Sequence, residues 1–396
     1  MKKHLIAAAV AGAFAVPAMA QVTISGSIDV GQFSQKTSQN QTDAAIGSST
    51  KTSGVGFVGE GNGWTTPALT FAAREDLGGG LSVAATLTTF YSGTAGTNNL
   101  IGGGERSLTL RGGFGSIKAG RFVPAVHGWT AFAVVGGTNR NPGNLDRGGF
   151  DLSDGSIARP WTASTAAKGP VAPEAATLAA AGTISLERQN NVLEYTSPVM
   201  NGFSVSATFI ESDSDRDGTT QPSSTRVSQT GFGVGYSQGP LTVRYALGKN
   251  KTSFEGTTAI NAAQQKADLQ WIGASYNLGV ATVFLLAADR DDSRSVNGVE
   301  TAAERADVKV NSVGLSVPLG ATTLHASTYK GKNTRGTAAE SDMDLKGYQI
   351  GARYSLSKRT FAYAVTGRNE NNRKNTGLNG TDTKQSGTSI GLVHTF

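Results

Sequence analysis

The sequence predicts an all-β fold, a transmembrane antiparallel β-barrel of about 16 strands, on three observations. Apolar residues recur with period two along nearly the whole chain, the mark of strands with one apolar face. The connections between these segments are alternately short and long. The chain also finishes on a large apolar ring, Phe396, at the end of an alternating run.

The bulk composition agrees. Only 38% of the 396 residues are apolar, while glycine reaches 52. A water-soluble domain of this length needs more Leu, Ile and Val to fill a core. Cysteine is absent, which removes disulfides, thiolate metal ligands and cysteine nucleophiles. The net charge of +6 is mild and no basic tract is interleaved with aromatics, so nucleic acid is not an expected partner.

Residues 1–20, MKKHLIAAAVAGAFAVPAMA, read as a signal peptide. Lys2 and Lys3 lead an apolar run from Leu5 to Val16, and Ala18-Met19-Ala20 offers a cleavage site before Gln21. That run is shorter than the roughly 20 residues of a spanning helix, and no later apolar stretch approaches that length. The expectation is export, with residues 21–396 forming one outer-membrane barrel domain.

The strands follow in order. In VTISGSIDVG, Val22, Ile24, Ile28 and Val30 alternate with Thr23, Ser25, Ser27 and Asp29. FSVSATFI separates Phe203, Val205, Ala207 and Phe209 from Ser204, Ser206 and Thr208. LTVRYALG sets Leu241, Val243, Tyr245 and Leu247 against Thr242, Arg244 and Ala246. YQIGARYSL does the same with Tyr348, Ile350, Ala352, Tyr354 and Leu356 against Gln349, Gly351, Arg353 and Ser355. Tight turns are expected at 76–80, 112–116, 197–202, 238–240, 277–279, 318–321 and 355–360. Long polar connections are expected at 35–63, 91–104, 212–226, 250–265, 290–306, 331–341 and 370–385. Short turns on one side, long loops on the other and strands of about ten residues are the pattern of an outer-membrane barrel.

Two segments, 266–278 and 280–289, alternate poorly. VATVFLLAA is apolar on both parities, which fits either a strand between lipid and packed protein or a bulge. In the last strand Ile390, Leu392 and Phe396 share a parity, with His394 between them. A bilayer tolerates no open sheet edge, so this strand must close against the first. Phe396 is then its final lipid-facing residue, at an aromatic girdle position.

Three enzyme-like motifs lose their context on inspection. Gly387-x-Ser389-x-Gly391 matches a hydrolase nucleophile elbow, which needs a strand-to-helix turn, whereas Ser389 falls mid-strand. Gly54-x-Gly56-x-x-Gly59 matches a dinucleotide fingerprint, which needs a following helix, whereas Asn62, Gly63 and Pro67 follow. Asp213, Asp215 and Asp217 in DSDRDG open like a calcium loop, but the twelfth position is Ser224 and not Glu. They form a weak calcium candidate on an exposed loop. His127, His325 and His394 lie on separate elements without ligand spacing. Neither an enzyme, nor a resident metal, nor a cofactor is expected.

REDLGGGLSVAATL (74–87), LTLRGGFGSIKAGR (108–121), NNVLEYTSPVMNGFSVSATF (190–209), YSLSKRTFAYAV (354–365) and the terminal H-x-F resemble segments of the trimeric general porins of Gram-negative outer membranes. The resemblance spans the mature chain. It implies a homotrimer of 16-stranded barrels in which the third loop folds inward and narrows the pore, acids on that loop facing a ladder of wall arginines. Carried over, the G-R arginine is Arg121. Arg74 and Arg111 join it by parity, since they oppose Phe71/Ala73 and Leu108/Leu110. Lys118 belongs to the same strand as Arg121 but differs in parity, so one of them lies at a bulge or beyond the strand end. Arg244, Arg353 and Arg368 also fall on polar faces. The third loop, 122–190, lacks the P-E-F-G of many relatives and carries NLDRGGFDLSDG instead, with Asp146, Asp151 and Asp154 as its constriction acids. The resemblance also implies that Phe396 is an assembly signal.

The expected function is a water-filled outer-membrane channel, set in lipid, for passive diffusion of small hydrophilic or anionic solutes and ions, with a mild anion preference. The alternative is a substrate-selective channel with a dedicated site in the long third loop.

Overall fold

In the computed structural model the chain closes into a 16-stranded antiparallel barrel. The structure describes residues 21–41, 47–57, 63–90, 104–128, 130–133, 188–216, 223–255, 263–296, 298–335, 342–373 and 381–396. The wall is built from β1 (Gln21–Gln41), β2 (Gly47–Phe57), β3 (Ala68–Gly78), β4 (Leu81–Phe90), β5 (Arg106–Gly112) and β6 (Gly115–Phe122). A 3-10 turn (Ala125–His127) and a short helix α1 (Thr130–Ala133) follow. The rest of the wall is β7 (Gln189–Thr196), β8 (Phe203–Arg216), β9 (Ser223–Gln238), β10 (Leu241–Glu255), β11 (Ala263–Asn277) and β12 (Thr282–Val296). β13 (Val299–Leu319), β14 (Thr322–Arg335), β15 (Met343–Ser355), β16 (Thr360–Arg373) and β17 (Thr381–Thr395) complete it. The signal-peptide expectation for residues 1–20 lies outside the described residues.

Closure is direct. β1 pairs with β17 from Ser27↔Thr395 to Gln41↔Thr381, and Gly26 and Phe396 exchange backbone hydrogen bonds of 3.0 and 3.1 Å. Each described strand except β2, which pairs with β1 alone, therefore has a partner on both sides, and the barrel leaves no open seam at its closure. Seventeen segments fill sixteen positions because β2 and β3 share one side of β1. β2 runs beside its outer half as far as Val30↔Phe57, and β3 takes over at Ser27↔Ala68. Between Phe57 and Ala68 this side of the β1 ladder thus skips only Ile28 and Asp29.

Alternation sorts the two faces as the sequence predicts. Val205, Phe209, Phe232, Ile272, Leu285, Leu315, Ile350 and Ile390 are exposed on the outside, an apolar band that only lipid would cover. Polar residues of the same strands, such as Thr208, Gln229, Asn250, Gln349 and Asn369, are buried on the inside. The strands run further than the hydrophobic pattern shows. β12 and β13 meet at Val296↔Val299, so 290–296 and 299–306 are strand and not a long loop, and β8 carries through to Arg216. Above the membrane both faces of a strand meet water, so no apolar alternation marks it. The wall is also uneven: β5 has 7 residues and β13 has 21.

The doubly apolar segment resolves in favour of packed protein. Leu285 faces outward, while Leu286 and Ala288 join an inward cluster with Leu269, Trp271, Val308 and Val310. No register shift interrupts β11–β12.

Candidate functional site: the barrel interior

The chain leaving β6 turns into the barrel. Pro124 opens the 3-10 turn, and the N–H of Ala125 donates to Glu194 Oε2 of β7 at 2.7 Å. Thr208 of β8 donates its hydroxyl to the same oxygen at 2.8 Å. Val126 then lies over the inner face of β9 and β10, where a Cβ on Gly231 would come within 3.0 Å of it and one on Gly248 within 2.8 Å. Phe132 of α1 lies over Gly273 of β11, where any Cβ would strike its ring. These glycines give three adjacent strands a recess that side chains would fill. Trp271, 2% exposed, stands beside Phe132 with ring centroids 6.1 Å apart and donates Nε1–H to the Val126 carbonyl at 2.6 Å. His127 is fully enclosed and bonded to Gln229 at 3.1 Å. Burial, aided by the nearby Arg290 guanidinium, pushes its imidazole down to about 3, so it is neutral at ordinary pH.

On the far side of the interior stands Trp64, 4% exposed. It packs with inward residues Phe361, Tyr363 and Val365 of β16 and Val393 of β17, and its ring lies 5.3 Å from that of His325 on β14. Asp29, wholly buried, accepts the N–H groups of Trp64 and Thr65 at 2.7 and 2.9 Å through one oxygen and the Tyr363 hydroxyl at 2.9 Å through the other.

The charged residues divide unevenly. Arg74 and Arg111 are exposed and face inward near the short turns after β3 and β5. Arg74 reaches Ser82 at 3.4 Å. Arg244 faces inward on β10, and Arg353 on β15 lies 4.2 Å over the Phe361 ring. The inward carboxylates are occupied. Asp29 and Glu194 hold backbone N–H groups, Glu105 pairs with Lys118 at 2.7 Å, and Asp292 pairs with Arg290 at 2.7 Å. Asp76 caps its own turn at Gly78.

Several sequence expectations move. A register shift lies between Gly120 and Phe122. Lys118 faces inward with its ammonium 4.3 Å from the Phe122 ring centroid, whereas Arg121 stands opposite Arg106, on the side that Leu108 and Ala119 share. Arg121 hydrogen-bonds Asn190 at 2.9 Å, tying the two ends of the third loop together. Arg368 stands opposite the outward Tyr348 and pairs with Glu370 at 2.6 Å, so it faces away from the lumen. Asp213 lies in β8 and not on a loop tip, and it is held by Arg226 at 2.8 Å. Asp146, Asp151, Asp154 and Asp217, and the side chain of Asp215, lie outside the described residues. Phe396 lies across Gly26 on the outer face, 42% exposed. Ser389 is wholly buried in β17 beside the Tyr363 hydroxyl.

Sequence reasoning missed Trp64 and its Asp29 anchor. A signal was there: in TFAYAV, Phe361, Tyr363 and Val365 are apolar on the lumen parity, the same doubling that marks VATVFLLAA. A strand apolar on both faces has its inner face covered.

The profile of the family described as Gram-negative porin matches residues 7–374. Outer membrane porin protein 32 of Delftia acidovorans is 28% identical over 92% of this chain and 88% of its own length. A major outer membrane protein P.IB of Neisseria gonorrhoeae is 25% identical over 93% of each chain. Among solved structures, the anion-selective porin from Comamonas acidovorans superposes with a TM-score of 0.65 at 22% identity, over 95% of this chain and all of the other. OmpT, an outer membrane protein of Vibrio cholerae in a trimer form, superposes with a TM-score of 0.59 at 14% identity, over 95% of this chain and 99% of the other.

Proposed function

The chain belongs to the Gram-negative porin family, and we propose that its outer-membrane channel passes small hydrophilic solutes with a mild preference for anions. One observation carries the preference. The inward arginines Arg74, Arg111, Arg244 and Arg353 stand near the short-turn mouth, with no ion pair to any of them among the described residues. Among the described residues, the inward carboxylates Asp29, Glu105, Glu194 and Asp292 are each held by a hydrogen-bond donor or a cation. Unmatched charge in a narrow, partly desolvated passage acts on an ion far more strongly than in bulk water. A relative in fold is itself described as anion-selective, which supports the reading.

Passage is by diffusion down a gradient, so no catalytic step is needed, and the burial of Ser389 favours a channel over a hydrolase. The third loop narrows the pore, with Arg74, Arg111 and Lys118 on the facing wall and Arg121 at its upper edge. Three copies assemble in the outer membrane, as the trimer form of a fold relative suggests. Phe396 acts as the assembly signal, and its deletion should lower the yield of heat-stable trimer.

The test is single-channel recording in planar bilayers under a salt gradient. Large ohmic steps and a reversal potential on the anion side are expected, moving toward cations in the Arg74→Gln/Arg111→Gln double variant. Small steps blocked by one solute would favour a substrate-selective channel instead. An unchanged reversal potential in the double variant at low ionic strength would remove these residues from the filter.

A further inference from the structure

We propose that the segment carrying Trp64 is a second narrowing element, so that the channel's size limit is set from two opposite sides and not by the third loop alone. The proposal rests on the chain conducting, which the unmodified protein tests in the same recordings.

Topology is the first support. On this side of β1 the ladder ends with Phe57 at Val30 and resumes with Ala68 at Ser27, so ten residues of chain join positions that flank only Ile28 and Asp29. The described part of this stretch, residues 63–67, lies on the inner side. Trp64 meets Phe361, Tyr363 and Val393, which share the lumen face with Asp29.

The anchor is the second support. Asp29 uses both oxygens to hold the segment and the β16 wall together, at 2.7 to 2.9 Å. Ser27 adds a 3.4 Å contact to the Thr66 carbonyl. The third loop is pinned in the same way: a buried inward carboxylate, Glu194, takes a backbone N–H and a neighbouring hydroxyl. A buried carboxylate left without donors is costly, so each anchor holds only while its segment stays in the barrel. The third support is the wall itself. Phe361, Tyr363 and Val365 in succession would be exposed to water in an open lumen, and Trp64 is what covers them.

The described residues of the segment, 63–67, are uncharged, so they should restrict size and leave charge preference to the arginines. Two variants test it. Trp64→Ala should raise unitary conductance and admit larger neutral sugars in liposome-swelling assays, with the reversal potential unchanged. Unchanged conductance and sugar cut-off would overturn the proposal. Should Trp64→Ala not assemble, Thr66→Cys decides, since the chain has no other cysteine. Labelling that thiol with a bulky methanethiosulfonate during recording should lower the current in steps. Labelling confirmed by mass with no change in current would place the segment outside the conduction path and overturn the proposal.

Discussion

The two inward segments are held by the same device and seated on opposite kinds of surface. At the start of the third loop, the wall withdraws: Gly231, Gly248 and Gly273 leave room for Val126 and Phe132. At Trp64 the wall advances instead, with Phe361, Tyr363 and Val393 meeting the ring. One seat is made by omitting side chains and the other by stacking them. The first should therefore fail when anything is added, and the second when anything is taken away.

The largest expected effect on current is at the glycine seat. Gly273→Val has no space for its side chain beneath Phe132. Overpacking of this kind typically costs about 1–3 kcal/mol, here localised to the docking of α1. Conductance should become larger and noisier while the barrel still assembles. Quiet, unaltered channels would show that Phe132 is not held there.

Next comes Asp29→Ala, which deprives two N–H groups and the Tyr363 hydroxyl of their acceptor. Each buried donor left unpaired costs about 1–3 kcal/mol. The thermal midpoint of the barrel should fall, and the larger sugars should pass. Since the two seats share no residue, the double variant Gly273→Val/Asp29→Ala should be close to additive. Strong coupling in that cycle would mean that the two segments touch.

Acid should separate the seats more gently. The His127 imidazole titrates near 6.5 when free and near 3 when docked. Its folded value is depressed, so the undocked state binds more protons between those values, and docking weakens as pH falls from 6.5 toward 3. Current fluctuations should grow over that window and flatten in His127→Asn. A pH profile identical in the two proteins would acquit the histidine.

The smallest effects concern charge at the edges. Arg111→Gln should shift the reversal potential toward cations, less so in high salt. Arg121→Gln should shift it less, because its side chain stands by Arg106 and holds Asn190. Arg368→Gln, on the outer face, should leave it unmoved.

Much of this was legible in parity. The lipid-facing positions, the closing strand and the inward placement of Arg74 and Arg111 follow from alternation, because lipid and water impose opposite chemistry on neighbouring residues. Arg121 went to the wrong face because the resemblance was followed over parity. Its place on the resemblance was inward, but the β5–β6 ladder runs unbroken through Arg106↔Arg121. Plain alternation therefore sets it on the face opposite Lys118, and the register shift beside it falls on the β7 side. Trp64 escaped for another reason. Its anchor joins backbone N–H groups to an aspartate early in the chain and that aspartate to a tyrosine near the end, and backbone donors leave no trace in residue type. The outer ends of the strands were misread as loops because hydropathy records only the stretch that meets lipid.

The uneven wall has a consequence for the bilayer. A seven-residue strand such as β5 extends about 23 Å at roughly 3.3 Å per residue. Tilted by about 45°, it rises only some 16 Å, well short of the roughly 25 Å apolar band of such barrels. The 21 residues of β13 on the other side give a ladder three times as long. Lipid cannot treat these flanks alike: it must thin against the low flank or yield that place to another protein. The two flanks of one barrel thus offer their surroundings very different heights of apolar surface.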